Sequence, residues 1–281
     1  MKKILNSLLT LAAVMQLGGC TEEKVIPPIT APQVIIDKDW KFETTPTWQD
    51  NFDGTSVDQS KWTFETGGSG WGNNELQNYT NGSNAKIENG ALVLEARRES
   101  SNGREYSSTR MISRGKAEWL YGRFEIRAKL PKGRGTWPAI WMLSADNSYG
   151  NWPASGEIDI MEHVGYDPEK VHCSVHTSAY NHTRNTQKTA SRMVPGATDG
   201  YHLYRVDWTP YAVRGFVDDV QYFEFINENK GFTAWPFDKK FFMILNIAVG
   251  GNWGGAQGVD NSIFPARMDI DYVKVFKMIE Q

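Results

Sequence analysis

Short runs in which apolar and polar residues alternate recur between turn residues from about Gly90 onward, and they constrain the fold of this chain. In residues 121–130, YGRFEIRAKL, one set of alternate positions holds Phe, Ile, Ala and Leu, and the other holds Arg, Glu, Arg and Lys. A period of two indicates a strand with one buried face. Because no segment of ordinary helix length shows a sustained three-to-four period with caps, a parallel α/β sheet is not supported. We therefore predict an all-β fold, an antiparallel sandwich or barrel.

The first twenty residues have the character of an export signal. Two lysines precede a mainly apolar run, which closes with Leu-Gly-Gly-Cys at Cys20. This tetrapeptide resembles a bacterial lipobox, which would imply cleavage before Cys20 and acylation of that residue. The alternative is an ordinary cysteine in a signal that is cleaved elsewhere. We expect an exported protein that is tethered to the outer membrane by lipid, and the acidic pair at positions 22 and 23 suggests the cell surface.

Residues 21–39 and 40–281 differ in character. The first segment contains VIPPITAPQV, whose three prolines and lack of a period are typical of a spacer. The second segment suits a single all-β domain, since such domains reach roughly 250 residues. We expect a linker over 21–39, one domain of catalytic size over 40–281, and a monomeric protein.

The composition argues against several classes of function. The net charge is −3 and no basic run occurs, so nucleic acid is not expected as a partner. Cys173 is the one cysteine beyond the signal segment, and we expect a small buried apolar residue there rather than a nucleophile or a disulfide partner. The chain shows no Gly-rich phosphate loop opening a helix and no Cys/His zinc pattern. We therefore expect no nucleotide or redox cofactor.

One predicted strand, GEIDIMEH (156–163), carries three carboxylates. They are Glu157, Asp159 and Glu162. In a regular strand the last of them would face the core together with the isoleucines, and an unpaired buried carboxylate costs several kcal/mol. A one-residue bulge at Met161 would change the parity and bring all three carboxylates to one face. We predict such a bulge.

Three carboxylates on one surface suit the hydrolysis of glycosides. Two glutamates whose carboxyls lie about 5 Å apart can attack the anomeric carbon and protonate the leaving oxygen. The aspartate between them either raises the cost of ionising both or shares a proton with Glu157. Of the 11 Trp, 11 Tyr and 13 Phe, several lie in polar, Gly-rich segments. Exposed aromatic rings there could stack on the flat apolar faces of sugars, although a tryptophan most often packs in the core. A cation site built from the same three acids is the alternative, and solvated surface acids are another.

The motif EIDIME resembles the catalytic signature of glycoside hydrolase family 16, in the laminarinase-like version with an extra residue before the second glutamate. The licheninase branch lacks that residue. The resemblance extends over nearly the whole chain after the linker. It covers WGNNELQNYT (71–80), YGRFEIRAKLPKGRGTWPAIWML (121–143), VDWTPYAVRGFVDD (206–219), ILNIAVGGNWGG (244–255) and DIDYVKVF (269–276).

The resemblance implies a concanavalin-like β-jelly-roll sandwich with an open concave cleft, and an endo-acting, retaining attack on β-1,3 or mixed-linkage β-1,3/1,4 glucans. It makes Glu157 the nucleophile and Glu162 the general acid/base, with Asp159 assisting. It also implies that Trp137 and Trp141 line the sugar subsites beside the scissile bond. Further contacts implied by position are Asn74, Arg110, His176 and Trp253. For the arginine and the histidine, packing or an ion pair is the alternative.

Members of this family often bind a structural calcium on the convex side. By position, the resemblance places that ion between Asp271 and the backbone oxygen of Gly90. The alternative is that Asp271 is an ordinary acid on an edge strand. Three other functions use the same sandwich and stay open from the sequence: a β-glucan-binding protein without activity, a transglycosylase, and a galactan hydrolase.

Overall fold

The computed structural model describes residues 34–279. The predicted signal segment, the lipidation site at Cys20 and residues 21–33 of the predicted linker lie outside the described residues. The end of that linker contacts the domain, since the backbone N–H of Ile35 donates to Asn229 Oδ1 at 2.9 Å and Asp37 accepts from Arg214 at 2.8 Å. The boundary at residue 40 stays a prediction. Among the described residues, no helix has the length and apolar character needed to cross a membrane.

Between residues 34 and 279 the chain forms nineteen strands and two 3-10 helices, His182–Arg184 and Asn261–Ile263. The strands are β1 (Lys41–Phe42), β2 (Trp48–Asp50), β3 (Thr63–Glu65), β4 (Gln77–Tyr79), β5 (Ala85–Glu88), β6 (Ala91–Ser101), β7 (Arg104–Ser108), β8 (Arg110–Ile112), β9 (Gly122–Lys129), β10 (Thr136–Ser144), β11 (Glu157–His163), β12 (Lys170–His176), β13 (Lys188–Met193), β14 (His202–Trp208), β15 (Ala212–Val217), β16 (Val220–Ile226), β17 (Phe241–Val249), β18 (Ala266–Phe276) and β19 (Met278–Ile279).

The strands form two large sheets and one small ribbon. A seven-stranded sheet has the order β13-β12-β11-β10-β17-β8-β3. A ten-stranded sheet has the order β16-β15-β14-β9-β18-β6-β7-β4, with β2 paired to β18 and β5 paired to β6. The ribbon is β1 with β19. Neighbours pair antiparallel, except that β4 runs parallel to β7. The predicted all-β, antiparallel sandwich is confirmed.

The core lies between the two large sheets and is filled by alternate residues of their strands. In β9, Phe124, Ile126 and Ala128 are buried and the charged residues between them are half-buried, as the period of two predicts. Strand β17 is buried along its whole length, because one side packs in the core and the other side lies under the candidate site. Cys173 is buried in the core, as expected, and is a free cysteine within residues 34–279.

The predicted bulge is present in β11. Glu162 pairs with Ala139 of β10, but the pairing shifts so that Asp159 lies opposite Trp141. On the other side the register also shifts between Asp159 and Glu162. The bulge therefore covers Ile160 as well as Met161, and both side chains are fully buried in the core. The extra residue leaves all three carboxylates on the side of the seven-stranded sheet turned away from the core, which we call the cleft face.

Candidate active site

The cleft face carries a depression around the three carboxylates. Its lining combines acids, amides and tryptophans from β8, β10, β11 and β17 and from the loop before β4. These residues are Trp71, Asn73, Glu75, Arg110, Trp137, Ala139, Trp141, Glu157, Asp159, Glu162, Asn246 and Ala248. Six of the predicted site residues are therefore together, whereas Asn74, His176 and Trp253 lie outside this lining.

Glu157 stands at the start of β11, next to the loop that precedes it. The indole N–H of Trp152, from that loop, donates to Glu157 Oε2. Burial of the carboxyl raises the pKa of Glu157 to about 8, and the nearby charge of Asp159 acts in the same direction. The donated indole hydrogen bond opposes this shift, because it stabilises the ionised form.

Asp159 lies between the two glutamates and is almost completely buried. Burial raises its pKa well above the usual range, and the charge of Glu162 adds to the effect. Interaction with the Glu157 carboxyl lowers the pKa of Asp159 and raises the pKa of Glu157, so a single proton between the two groups favours Glu157. The Nε2 atom of His176 lies 3.3 Å from Asp159 Oδ2. This places the predicted contact His176 against the carboxylates, behind the lining.

Glu162 is held from the β10 side. The indole N–H of Trp137 donates to Glu162 Oε1 at 3.2 Å. Burial raises the pKa of Glu162 to about 7, and the charge of Glu157 contributes to the rise, whereas the charge of His176 opposes it. A carboxyl with this pKa can both give up and take back a proton near neutral pH.

Arg110 is fixed by packing and by an ion pair. Its guanidinium lies 4.8 Å from the ring centres of both Trp71 and Trp141, and its Nε atom donates to Glu65 at 2.6 Å. Both alternatives considered for this residue from the sequence are therefore present. The arginine joins the two tryptophans into one stack on the cleft face.

Trp253 and Asn74 belong to two glycine-rich loops that meet at one end of the cleft. The Asn74 side chain donates to Asn252 at 2.8 Å, and Trp253 packs edge-on against Trp137 with ring centres 5.6 Å apart. A Cβ atom on Gly254 would lie 2.7 Å from the Cβ of Trp137, so only glycine allows this approach. Of the two predicted contacts, Trp253 therefore packs directly on Trp137, and Asn74 holds the neighbouring residue Asn252.

Two of the three acids and a histidine also form a group of possible metal ligands. Among the described residues, ligand atoms of Glu157, Asp159 and His176 all lie within 4.8 Å of one another. Burial raises the pKa of both carboxyls, which favours their protonated forms. A hard cation prefers ionised oxygen ligands and would have to displace a proton here, whereas glycoside hydrolysis uses one protonated and one ionised carboxyl.

Sequence reasoning missed five polar or aromatic residues of the site. Trp71, Asn73 and Glu75 lie in a segment that was noticed for its aromatics and amides, but no periodic pattern marks which of them face the cleft. Asn246 carried a usable signal, because it is the one polar residue in the apolar run FFMILNIAV and it pairs with Ala139, the neighbour of Glu162. Trp152 lies in the loop before the motif, where no periodic pattern marks it as a hydrogen-bond donor to Glu157.

The predicted calcium ligands lie close together in the ten-stranded sheet. Gly90 occupies the turn between β5 and β6 with φ of 74°, and Asp271 follows directly after Ile270, which pairs with Leu92. The carboxylate of Asp271 accepts a hydrogen bond from Arg127 at 2.6 Å. The Asp271 carboxylate is therefore a hard oxygen donor that is ion-paired with the Arg127 guanidinium.

Comparison with known proteins agrees with the geometry. The family model described as Glycosyl hydrolases family 16 matches residues 72–274. A Beta-glucanase of Rhodothermus marinus is 53% identical over 243 residues, which are 83% of this chain and 85% of that protein. A Glucan endo-1,3-beta-glucosidase of Cryptopygus antarcticus is 40% identical over 245 residues, which are 81% of this chain and 90% of that protein.

Solved structures agree as well. The X-ray structure of the laminarinase from Rhodothermus marinus superposes with a TM-score of 0.83 at 52% identity, covering 86% of this chain and 99% of that one. The matched residues 72–274 include all three carboxylates of β11. The chain belongs to glycosyl hydrolase family 16.

Proposed function

We propose that this protein is an endo-acting glucanase that hydrolyses β-1,3 and mixed-linkage β-1,3/1,4 glucans with retention of configuration. The observation that carries the proposal is the bulged strand β11, which places Glu157 and Glu162 on one face with Asp159 between them. The stacked tryptophans of the cleft face suit flat sugar rings. The two similar proteins from Rhodothermus marinus and Cryptopygus antarcticus are named as glucanases.

The reaction follows from the two glutamates in two steps. In the first, a carboxylate oxygen of Glu157 forms a bond to the anomeric carbon while Glu162 gives its proton to the leaving glycosidic oxygen. In the second, Glu162 takes a proton from water, whose oxygen attacks the same carbon and releases Glu157. A sugar hydroxyl in place of water would give transglycosylation from the same covalent intermediate.

The proton shared by Glu157 and Asp159 has to lie on Asp159 for the first step. Burial favours a neutral carboxyl at both positions, but the nucleophile must be ionised. The indole N–H of Trp152 donates to Glu157 and favours its ionised form. We infer that the proton, which the resting site favours on Glu157, moves to Asp159 before the first step, so that Asp159 serves as a local store of one proton close to the nucleophile.

Replacing each glutamate by alanine should impair the two steps differently. We expect each variant to lose about 10²–10⁴-fold or more in kcat on laminarin, because each removes a reacting group. Azide can replace the missing carboxylate when the substrate has a good leaving group. Azide should then yield the β-glycosyl azide with Glu162→Ala and the α-glycosyl azide with Glu157→Ala, as read by NMR of the products.

Glu43→Ala, at an exposed glutamate, is the control and should remain fully active. Hydrolysis retained by Glu157→Ala would contradict the nucleophile assignment. No hydrolysis of laminarin or barley glucan by the wild type would favour a glucan-binding protein instead. Hydrolysis of a galactan in preference to both glucans would contradict the proposed substrate.

The burial of Glu157 should cost stability at high pH. Since its pKa is about 8 in the folded protein and near 4.5 when unfolded, the folded state binds the extra proton between these values. Stability from this group is therefore fully present below about pH 4.5 and is lost as the pH rises toward 8. Glu157→Gln, which stays neutral, should raise Tm at pH 9 by several degrees, at about 2–4 °C per kcal/mol.

The Tm difference between Glu157→Gln and the wild type should shrink as the pH falls toward 4.5. The matched control is Glu43→Gln, where no pH-dependent difference is expected. A Tm difference that is the same at pH 4.5 and pH 9 would contradict the proton linkage, as would a lower Tm for the variant at pH 9.

We also propose a structural calcium at Asp271 and the backbone oxygen of Gly90. The two lie close together at the turn between β5 and β6, and a half-exposed carboxylate is a suitable ligand. Calcium would have to displace Arg127 from Asp271. Adding calcium to EDTA-treated protein should raise Tm, by an amount that Asp271→Asn reduces and Asp199→Asn, at an exposed aspartate, does not. Equal Tm values with EDTA and with calcium would contradict the site.

For the N-terminus we propose a lipid anchor at Cys20 on an exported protein, at the outer membrane and facing the outside. The support is the sequence alone, a basic and apolar segment ending in Leu-Gly-Gly-Cys. In a Gram-negative host grown with labelled palmitate, the full chain should incorporate label, Cys20→Ser should not, and Cys173→Ser should. Label in Cys20→Ser, or none in the wild type, would contradict the anchor.

A further inference from the structure

Glu75 is a buried carboxylate of the cleft to which the reaction assigns no task. Only 6% of the residue is exposed, and burial raises the pKa of its carboxyl. Its two oxygens accept three hydrogen bonds. The donors are Gln77 Nε2 at 2.6 Å, the Tyr79 hydroxyl at 3.1 Å and Asn73 Nδ2 at 3.3 Å. Such a satisfied buried group fixes the side chains around it.

The hydrogen bonds continue from Tyr79 to the floor of the cleft. The Tyr79 oxygen accepts from Asn246 Nδ2 at 3.0 Å, and Asn246 Oδ1 accepts from the indole N–H of Trp141 at 2.7 Å. A continuous hydrogen-bond chain therefore runs from Glu75 through Tyr79 and Asn246 to Trp141. Among the described residues, none of these four has a buried side-chain polar atom without a partner.

The direction of each hydrogen bond in this chain is determined by its two ends. Gln77 has its oxygen occupied by the backbone N–H of Val249 at 2.7 Å, so its amide group must donate toward Glu75. Tyr79 has one proton, and giving it to Glu75 leaves its oxygen free to accept from Asn246. The Asn246 oxygen is then turned toward Trp141, whose indole N–H can only donate.

The orientation of Trp141 matters for the cleft face. Its ring lies opposite Asp159 in the pairing of β10 with β11, and it stacks with Arg110. A rotated indole would displace this stack and change the surface beside the carboxylates. The hydrogen-bond acceptor that holds the indole N–H is Asn246, the member of the hydrogen-bond chain next to Trp141.

We propose that Glu75 is a positioning residue, which through Tyr79 and Asn246 holds the Trp141 indole in the orientation that a bound glucan needs. The proposal rests on the proposed function for the role of Trp141 toward a sugar. The hydrogen-bond chain itself does not depend on that role. Glu75 also lines the depression, so direct contact of its charge with a sugar is the competing interpretation.

Glu75→Gln and Glu75→Leu separate the two interpretations. The glutamine oxygen can take the place of Oε2 and accept from both Gln77 and Tyr79, while its amide faces Asn73, whose own amide can turn. The hydrogen-bond chain is then preserved, and only the negative charge of Glu75 is removed. Leucine removes the acceptor and leaves two buried donors unpaired.

We expect Glu75→Leu and Tyr79→Phe to raise KM for laminarin roughly 5- to 50-fold, with a smaller effect on kcat, because the loss is in sugar binding. Glu75→Gln should stay within about threefold of the wild type. The control Glu95→Leu removes an equally buried glutamate, 8% exposed and paired with Lys86 and Arg97 away from the cleft, and should leave KM unchanged.

A second measurement reads the Trp141 indole directly and needs no activity. In protein labelled with ¹⁵N at the indole nitrogens, the Trp141 resonance is the one that disappears in Trp141→Phe. This resonance should move toward the position of solvent-exposed indoles and exchange faster with water in Glu75→Leu and Tyr79→Phe. It should be unchanged in Glu75→Gln and Glu95→Leu.

Three results would overturn the proposal. The first is Glu75→Gln impaired as strongly as Glu75→Leu, which would show that the charge itself acts. The second is a Trp141 resonance unaffected by Tyr79→Phe, a variant that tests the same chain should Glu75→Leu fail to fold. The third is a shift of the Trp141 resonance with KM unchanged. If the wild type does not cleave glucans, the proposed function is wrong. The Trp141 indole resonance still tests the hydrogen-bond chain from Glu75 to Trp141 in that case.

Discussion

The extra residue in β11 is the constraint on which the site depends. A strand of regular alternation would have buried the last of the three carboxylates in the core, which the described residues fill with apolar side chains. The bulge instead buries two apolar side chains in succession, Ile160 and Met161, and returns Glu162 to the open side. Core packing and the chemistry of the site are therefore satisfied by one local irregularity.

The carboxylates are close enough to disturb one another, and this couples stability to activity. Each is partly or wholly removed from water, and each raises the cost of ionising a neighbour. The protein offsets part of the cost with the charge of His176 and with two indole donors, Trp152 and Trp137. A neutral indole donor stabilises a carboxylate less strongly than a cation does. This suits carboxyl groups that must change protonation state in each turnover.

The fold and the reacting groups were predictable from the sequence because they rest on local patterns. Alternation gave the sandwich, and the five-residue interval between Glu157 and Glu162 required the bulge. The supporting residues depend instead on contacts between distant segments. Asn246 meets Tyr79 across 167 positions, and Trp141 meets Asn246 across 105. No periodicity encodes such pairs, so Glu75 and its chain became visible only in three dimensions.

The two indole donors differ in what holds them. Trp137 comes from β10, in the middle of the sheet, whereas Trp152 comes from the loop before β11, which is tied to a neighbouring loop by the stack of Tyr149 on Phe232. Substitutions in that loop can therefore change how the nucleophile Glu157 is held, while the donor to Glu162 stays fixed in the sheet. Related enzymes can diverge in the environment of the nucleophile while they keep the same acid/base.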